Sequence, residues 1–183
     1  MDLNIKSENI EKEIYNRYIK RSFDLIIALL LFLLLLPIYL FIGLIIKFNT
    51  SGPILYQALR GGYHDVPFKI LKFRTMIMNA DKIGGNTTAL NDPRITKVGK
   101  ILRKTKLDEL PQLVNIIKGE MSFVGPRPEV LAYTSKYTEE EKRILSVRPG
   151  ITDISSLKYI SLDEVVGAEN ADEYYDCLLY TSD

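Results

Sequence analysis

LIIALLLFLLLLPIYLFIGLII, residues 25 to 46, decides how this chain is organised, because the stretch contains no charged side chain. At a rise of 1.5 Å per residue, a straight helix of this length measures roughly 33 Å, enough to cross a bilayer core of about 30 Å. A membrane-spanning helix is therefore the simplest interpretation.

Two features favour a helix that enters the membrane and returns on the same side. Pro37 lies just past the middle, where a proline removes a backbone donor and kinks a helix. Arg17, Lys20 and Arg21 precede the stretch, and Lys47 follows it. The preference of positive charge for the cytoplasm therefore applies to both ends. From these residues alone, a re-entrant hairpin and a Pro-kinked spanning helix both remain open.

The rest of the chain has the composition of a soluble globular protein. Its 24 Lys and Arg nearly balance 23 Asp and Glu, which argues against a nucleic-acid partner. We predict an amphipathic N-terminal segment at 1–21, a membrane helix at 22–47 and one globular domain at 48–176. Residues 177–183, CLLYTSD, resemble the translation of a sequencing-library adapter. We expect a non-native tail there, with a genuine short apolar tail as the alternative.

The globular part is predicted to have a helix-rich α+β fold. ILYQAL and VPFKILKF flank the turn at Gly61 and Gly62, which predicts a short β-hairpin. Residues 76 to 91 are polar, which indicates either a lid over a site or a plain surface loop. A helix is predicted from near Leu107 to a stop at Gly119. Further along, MSFV predicts a short buried strand, TEEEKR a helix from about Thr138, and RPGIT a tight turn.

Asp108 and Glu109 stand at the start of the helix predicted near Leu107. The macrodipole and the free N–H groups of a helix start favour negative charge there, which keeps both acids ionised and attractive to a metal. An ionised carboxylate can attack phosphorus and form an acyl phosphate, and Mg2+ can neutralise the diphosphate under attack. The alternative is an acid pair that serves only as a helix cap.

Basic residues around this pair favour the chemical interpretation. The guanidinium of arginine fits phosphate oxygens, and neighbouring prolines stiffen two of the turns concerned. Together with a membrane entry, they predict a site that takes a phosphorylated substrate and a partner dissolved in lipid. The predicted phosphate or nucleotide contacts are Lys72, Arg74, Arg103, Arg127 and Arg148.

Four motifs resemble the bacterial sugar transferase family, the monotopic phosphoglycosyl transferases, over roughly residues 18 to 165. They are KFRTM, DPRITKVGKILRKTKLDELPQL, NIIKGEMSFVGPRPE and RPGIT. The resemblance implies a cytosolic catalytic domain anchored by a re-entrant membrane helix, here kinked at Pro37 alone, since Leu36 replaces the serine that often precedes the bend.

The resemblance also implies Mg2+ and a two-step reaction. A phosphosugar passes from a nucleotide sugar, best taken as a UDP-sugar, to polyprenyl (undecaprenyl) phosphate through a covalent aspartate intermediate, with UMP released. By position in the motifs, Asp108 is the nucleophile, Glu109 its acidic partner at the metal or acceptor proton, and Arg103 and Arg127 lie at the phosphates. Asp108 and Glu109 are the implied metal ligands.

These implications define the expected setting of the protein. We expect the inner bacterial membrane, with the catalytic domain facing the cytoplasm, in contact with membrane lipids and as the first membrane step of a glycan such as an exopolysaccharide. A homodimer is compatible with the sequence. The competing hypothesis is a non-catalytic, membrane-anchored scaffold whose basic turns bind anionic lipid headgroups, with Asp108 as a cap.

Overall fold

The computed structural model describes residues 15–80, 83 and 92–153. Its helices and strands are a π-helical turn Tyr15–Ile19, α1 Lys20–Asn49, β1 Leu55–Arg60, β2 Phe68–Phe73, α2 Lys97–Lys104, α3 Gln112–Lys118, β3 Ser122–Val124, α4 Leu131–Thr134 and β4 Gly150–Thr152. Three 3-10 turns add Tyr63–Asp65, Leu107–Glu109 and Glu141–Ser146. This mixture confirms the predicted α+β class. Most of the predicted N-terminal amphipathic segment and of the loop at 76–91, and all of the tail at 177–183, lie outside the described residues.

Helix α1 is 30 residues long and continues through Pro37. By length and composition it is apolar enough to cross a membrane. One face packs on the globular domain, where Ala28 is fully buried and Ile46 is 2% exposed. The other face carries exposed side chains such as Leu34, at 73%, and Leu40, at 69%. The helix therefore belongs to the core along one side and presents an apolar surface along the other.

The predicted hairpin is confirmed, because β1 and β2 pair antiparallel from Leu55 with Phe73 to Arg60 with Phe68. Its strand β2 contributes to two hydrophobic clusters. The first cluster contains the buried residues Ala28, Phe68, Ile70, Leu113, Ile116 and Met121. The second contains Ile42, Ile46, Phe73 and Leu102, with Tyr39, Ile54, Val98, Leu107 and Leu110 packed against it. Helix α1 thus contributes to both clusters, with Ala28 in the first and Ile42 and Ile46 in the second.

The end of α3 and the strand after it follow the sequence prediction. Gly119 closes α3 in a left-handed conformation with φ 89°, and its N–H bonds to the carbonyls of Asn115 and Ile116. Left-handed backbone is the reason why glycine ends helices so often. The strand predicted at MSFV appears as β3, but of its three residues only Ser122 is buried, and Val124 is 62% exposed.

The predicted turn at RPGIT is wrong, because Gly150–Thr152 forms β4, a parallel partner of β3. Close backbone contact explains the difference: a side chain on Gly125 or Gly150 would meet backbone atoms at 2.2 Å. The helix expected from Thr138 is limited to the 3-10 turn. Helix α2 was not predicted, although Thr96 is an N-cap residue whose hydroxyl accepts from the Gly99 N–H at 2.9 Å.

Candidate active site

The two adjacent acids lie in the short turn Leu107–Glu109, between α2 and α3. Lys106, just before the turn, has left-handed backbone with φ 56°, and its carbonyl accepts from the Glu109 N–H at 3.2 Å. The helix predicted from Leu107 therefore begins only at Gln112. A 3-10 turn places Asp108 and Glu109 in different directions, so that the two carboxylates have different surroundings.

Asp108 is buried, with 6% of its surface exposed, and its Oδ1 atom has no hydrogen-bond partner among the described residues. Burial raises the pKa of this carboxyl above its ordinary value; Glu109 adds to the rise, while Lys72 and Arg103 oppose it. A buried acceptor without a partner costs free energy. Such an oxygen is suited to a partner that arrives with the substrate, either a cation or an electrophilic phosphorus.

Glu109 has a partner within the protein. Its Oε1 accepts from the Lys72 ammonium at 2.7 Å. Burial alone would raise the pKa of Glu109, but Lys72, Arg127 and Lys106 outweigh it, so the pKa lies below its ordinary value. Glu109 is therefore ionised, with its Oε1 atom bonded to Lys72. The neighbouring Asp108 has a raised pKa and an Oδ1 atom without a hydrogen-bond partner among the described residues.

Three of the five predicted basic residues come together around this pair. Lys72 extends from β2 to Glu109, Arg103 from α2 acts on the charge of Asp108, and Arg127 from the loop after β3 acts on that of Glu109. Three separate elements thus surround the acids with positive charge. This is the arrangement that a phosphate substrate requires.

The other two predicted basic residues contact main-chain carbonyls elsewhere. Arg74 is 6% exposed and donates to the carbonyls of Thr50 and Ser51 just after α1, at 3.0 and 2.6 Å. Arg148 donates to the carbonyl of Gly119 at 2.9 Å and lies over the ring of Tyr63 at 4.9 Å. These contacts hold the fold together, and a phosphate role for Arg74 and Arg148 stays a prediction.

Asn115, which was not predicted, fixes one side of the site. It is fully buried, and its side-chain oxygen accepts from the Leu71 N–H at 3.0 Å. Its amide nitrogen donates to the carbonyl of Lys69 at 2.8 Å and to Glu120 at 2.7 Å. Asn115 thus takes the place of a neighbouring strand along β2 and holds the backbone that carries Lys72. A lone asparagine in an apolar helical pattern is a signal that could have indicated such a role.

The donor set fits Mg2+. This ion prefers oxygen ligands and often takes one or two protein carboxylates, with substrate phosphates and water completing its coordination. Asp108 Oδ1 is a buried oxygen that lacks a partner among the described residues. The described part of the chain contains no group of three or more His, Cys, Asp or Glu that could hold a metal. Any ion at this site would therefore depend on substrate oxygens for most of its ligands.

Comparison with known proteins gives a consistent result. The sequence profile described as bacterial sugar transferase matches residues 15–177. The chain is 43% identical over 141 residues to the UDP-glucose:undecaprenyl-phosphate glucose-1-phosphate transferase of Escherichia coli K12, covering 75% of this chain and 30% of that protein. It is also 43% identical over 150 residues to the exopolysaccharide production protein ExoY of Sinorhizobium fredii, covering 74% and 66%.

A third relative carries the same name as the first. The UDP-glucose:undecaprenyl-phosphate glucose-1-phosphate transferase of Caulobacter vibrioides is 40% identical over 142 residues, covering 76% of this chain and 53% of that protein. The chain therefore spans between about a third and two thirds of the length of these relatives.

Proposed function

This chain belongs to the bacterial sugar transferase family, and from that membership we propose that it is a phosphoglycosyl transferase. It takes a phosphosugar from a nucleotide diphosphate sugar, a UDP-sugar for preference, and gives it to undecaprenyl phosphate. The relatives named for transfer of glucose-1-phosphate from UDP-glucose to undecaprenyl phosphate support this substrate class.

The difference between the two acids carries the proposal. Glu109 is already bound to Lys72, whereas Asp108 Oδ1 is buried without a partner among the described residues. A nucleophile must keep an oxygen available for the reacting atom, and Asp108 meets that requirement. We assign the nucleophile to Asp108, and to Glu109 the role of an acidic partner that holds Lys72 at the reacting phosphate.

The reaction has two displacements at one phosphorus. An ionised oxygen of Asp108 attacks the phosphorus that bears the sugar; the bond from this phosphorus to the bridging oxygen breaks, and UMP leaves with that oxygen. A phosphate oxygen of the polyprenyl acceptor then attacks the same phosphorus. The bond to Asp108 breaks, which regenerates the carboxylate and releases polyprenyl-diphosphate-sugar.

The surrounding residues supply charge and position for both steps. Lys72, Arg103 and Arg127 oppose the negative charge of the diphosphate and keep it beside the acids. Asp108 and the Glu109 carboxylate oxygen that is not bonded to Lys72 would hold Mg2+, which when bound neutralises phosphate charge as the leaving group departs. Burial of Asp108 excludes water from the acyl phosphate formed on it.

The contacts of α1 support a re-entrant placement. Near its start, Arg21 donates to the Ile117 carbonyl at the end of α3, and near its end Ile46 packs with Phe73 and Leu102. Both ends of α1 therefore contact one globular body, which can lie on only one side of a bilayer. We propose that Pro37 bends the helix within the membrane and that both ends face the cytoplasm, where Lys47 and the other flanking basic residues favour them.

A trapping experiment tests the mechanism. Incubation with radiolabelled UDP-sugar and Mg2+, without polyprenyl phosphate, is expected to label Asp108 and to release UMP. Asp108→Asn keeps the size of the side chain and is expected to lose label and transfer by at least about 100-fold. The matched control is Asp65→Asn, at an exposed position with φ 61° that asparagine tolerates.

Three outcomes would overturn the nucleophile assignment or the proposed function. Substantial transfer by Asp108→Asn would remove Asp108 from the nucleophile role. Transfer by the parent without any adduct or partial reaction would favour direct displacement, with Asp108 only a metal ligand. Intact membrane association without any transfer by the parent, across a panel of nucleotide sugars, would favour the scaffold hypothesis.

A further inference from the structure

Tyr39 carries the only polar side chain between residues 25 and 46 and lies two positions after Pro37. Its hydroxyl donates to the carbonyl of Leu110 at 2.6 Å. Leu110 directly follows Glu109, so this hydrogen bond joins the membrane helix to the backbone of the acid pair.

The ring of Tyr39 makes a second connection to the site. It lies 5.7 Å from the ring of Phe73, centroid to centroid, and 5.4 Å from the ring of Phe32 on its own helix. Phe73 directly follows Lys72 on β2. One side chain of the membrane helix thus contacts the residues adjacent to both partners of the Lys72 and Glu109 ion pair.

Packing around these contacts connects Tyr39 to the backbone on either side of Asp108 and Glu109. Leu107 and Leu110, on either side of the two acids, pack against the same cluster as Tyr39. Ile42 and Ile46 of α1 are buried in that cluster. The turn that carries the acids therefore lies on the second half of α1. The Tyr39 hydroxyl supplies a hydrogen bond between this half of α1 and Leu110, directly after the turn.

We propose that Tyr39 is a positioning residue for the transfer reaction, which sets the Lys72 and Glu109 pair by holding the backbone beside each partner. The inference rests on the proposed function for its effect on rate. Its effect on the ion pair is independent of the reaction. A position of the membrane helix thereby acts directly on the geometry of the phosphate site.

The first experiment measures the ion pair without any turnover. The parent and Tyr39→Phe, purified in detergent, are treated with an amine-acylating reagent, and the labelling rates of Lys72 and Lys69 are followed by mass spectrometry. Tyr39→Phe keeps the ring and removes only the hydroxyl. We expect Lys72 to be labelled about 3-fold faster in Tyr39→Phe, while Lys69, exposed on the same strand, is unchanged. Equal labelling of Lys72 in both proteins would overturn the proposal.

The second experiment measures the rate. We expect Tyr39→Phe to lower kcat about 5-fold, with both KM values within about twofold, because a misplaced group affects chemistry more than substrate binding. Tyr39→Leu, which also removes the ring, is expected to lower kcat further. The matched control is Tyr15→Phe, which removes a hydroxyl from an exposed tyrosine just before α1.

A double-mutant cycle shows whether Tyr39 acts through the pair. In a Lys72→Met background the ion pair is already absent, so Tyr39→Phe is expected to change the residual rate by less than about twofold. An equal loss in both backgrounds, or a rise in KM with unchanged kcat, would contradict the proposal. A parent without transfer activity would defeat the proposed function, and the labelling of Lys72 would still decide the position of Tyr39.

Discussion

The two ends of α1 are attached to the globular domain by different means. Near the start, Asp24 accepts from the Ser122 hydroxyl at 2.7 Å and forms an ion pair with Lys20, which also donates to Ser122. Near the end, Ile42 and Ile46 are buried among the apolar side chains of the second cluster. A polar anchor thus holds the first end, whereas the second end combines hydrophobic packing with the hydrogen bonds of Arg74 to the carbonyls just after the helix.

The difference separates stability from catalysis. The polar contacts near the start join α1 to β3 and to the end of α3, whereas the apolar end packs in the same cluster as Leu107 and Leu110, on either side of the two acids. Changes at the first end should therefore lower mainly the free energy of unfolding, and changes at the second end should also lower the transfer rate. Substitutions at the two ends test whether their effects on stability and rate differ in this way.

Asp24→Ala should have the largest effect on stability. Asp24 is 7% exposed, and its removal leaves the Ser122 hydroxyl and the Phe123 N–H without this acceptor and Lys20 without its ion-pair partner. We expect the free energy of unfolding to fall by about 3 kcal/mol, as measured by denaturant unfolding in detergent micelles. The transfer rate per folded molecule should change by less than about threefold. Asp24→Asn, which keeps an acceptor, should cost about 1 kcal/mol.

Equal stability of the parent and Asp24→Ala would show that the polar anchor does not hold the helix. A loss of rate much larger than threefold in the folded variant would show that the two ends do not act separately.

Ile46→Val should have a smaller effect on stability but a clear effect on rate. Ile46 is 2% exposed, and removing one methylene from a packed cluster costs about 1 kcal/mol. Because Leu107 and Leu110 pack on the same cluster, the transfer rate should also fall, by about twofold to fivefold. The measurements are unfolding and steady-state transfer, with Ile38→Val, at an exposed position of the same helix, as the matched control. Identical behaviour of the two variants would contradict the comparison.

Leu34→Ala should have the smallest effect on the free energy of unfolding. Leu34 is 73% exposed and faces away from the domain, so the change should be less than about 0.5 kcal/mol in detergent micelles. A loss as large as that of Ile46→Val would mean that the exposed face of α1 has a protein partner. This substitution therefore sets the baseline for the other two.

Local patterns predicted the elements whose cause is local. The apolar stretch at 25 to 46 predicted α1, the glycines at 61 and 62 the hairpin, and Gly119 the end of α3. Helix α2 was missed although Thr96 is a favourable N-cap residue. Strand β4 was missed because it pairs with β3, and nothing near Gly150 in sequence indicates a partner so far away.

Only some of the predicted basic residues lie at the two acids, for a physical reason. The sequence suggested arginines at phosphate, and Arg103 and Arg127 do act on the two acids. A guanidinium, however, donates equally well to a main-chain carbonyl, and Arg74 and Arg148 find such carbonyls at the ends of α1 and α3. Residue type and spacing do not distinguish these acceptors. Tyr39 escaped notice because its partner is a carbonyl 71 positions away.

The hydrogen bond from Ser122 to Asp24 also has a consequence for the order of events during synthesis. It joins residues 98 positions apart. At about 5 to 20 residues per second, a ribosome needs roughly 5 to 20 s to reach Ser122 after it has made Asp24. During that interval Lys20 and Arg21, about one helical turn earlier, are the neighbouring cations that can neutralise Asp24. The first-made end of α1 is thus fastened only after synthesis has reached β3.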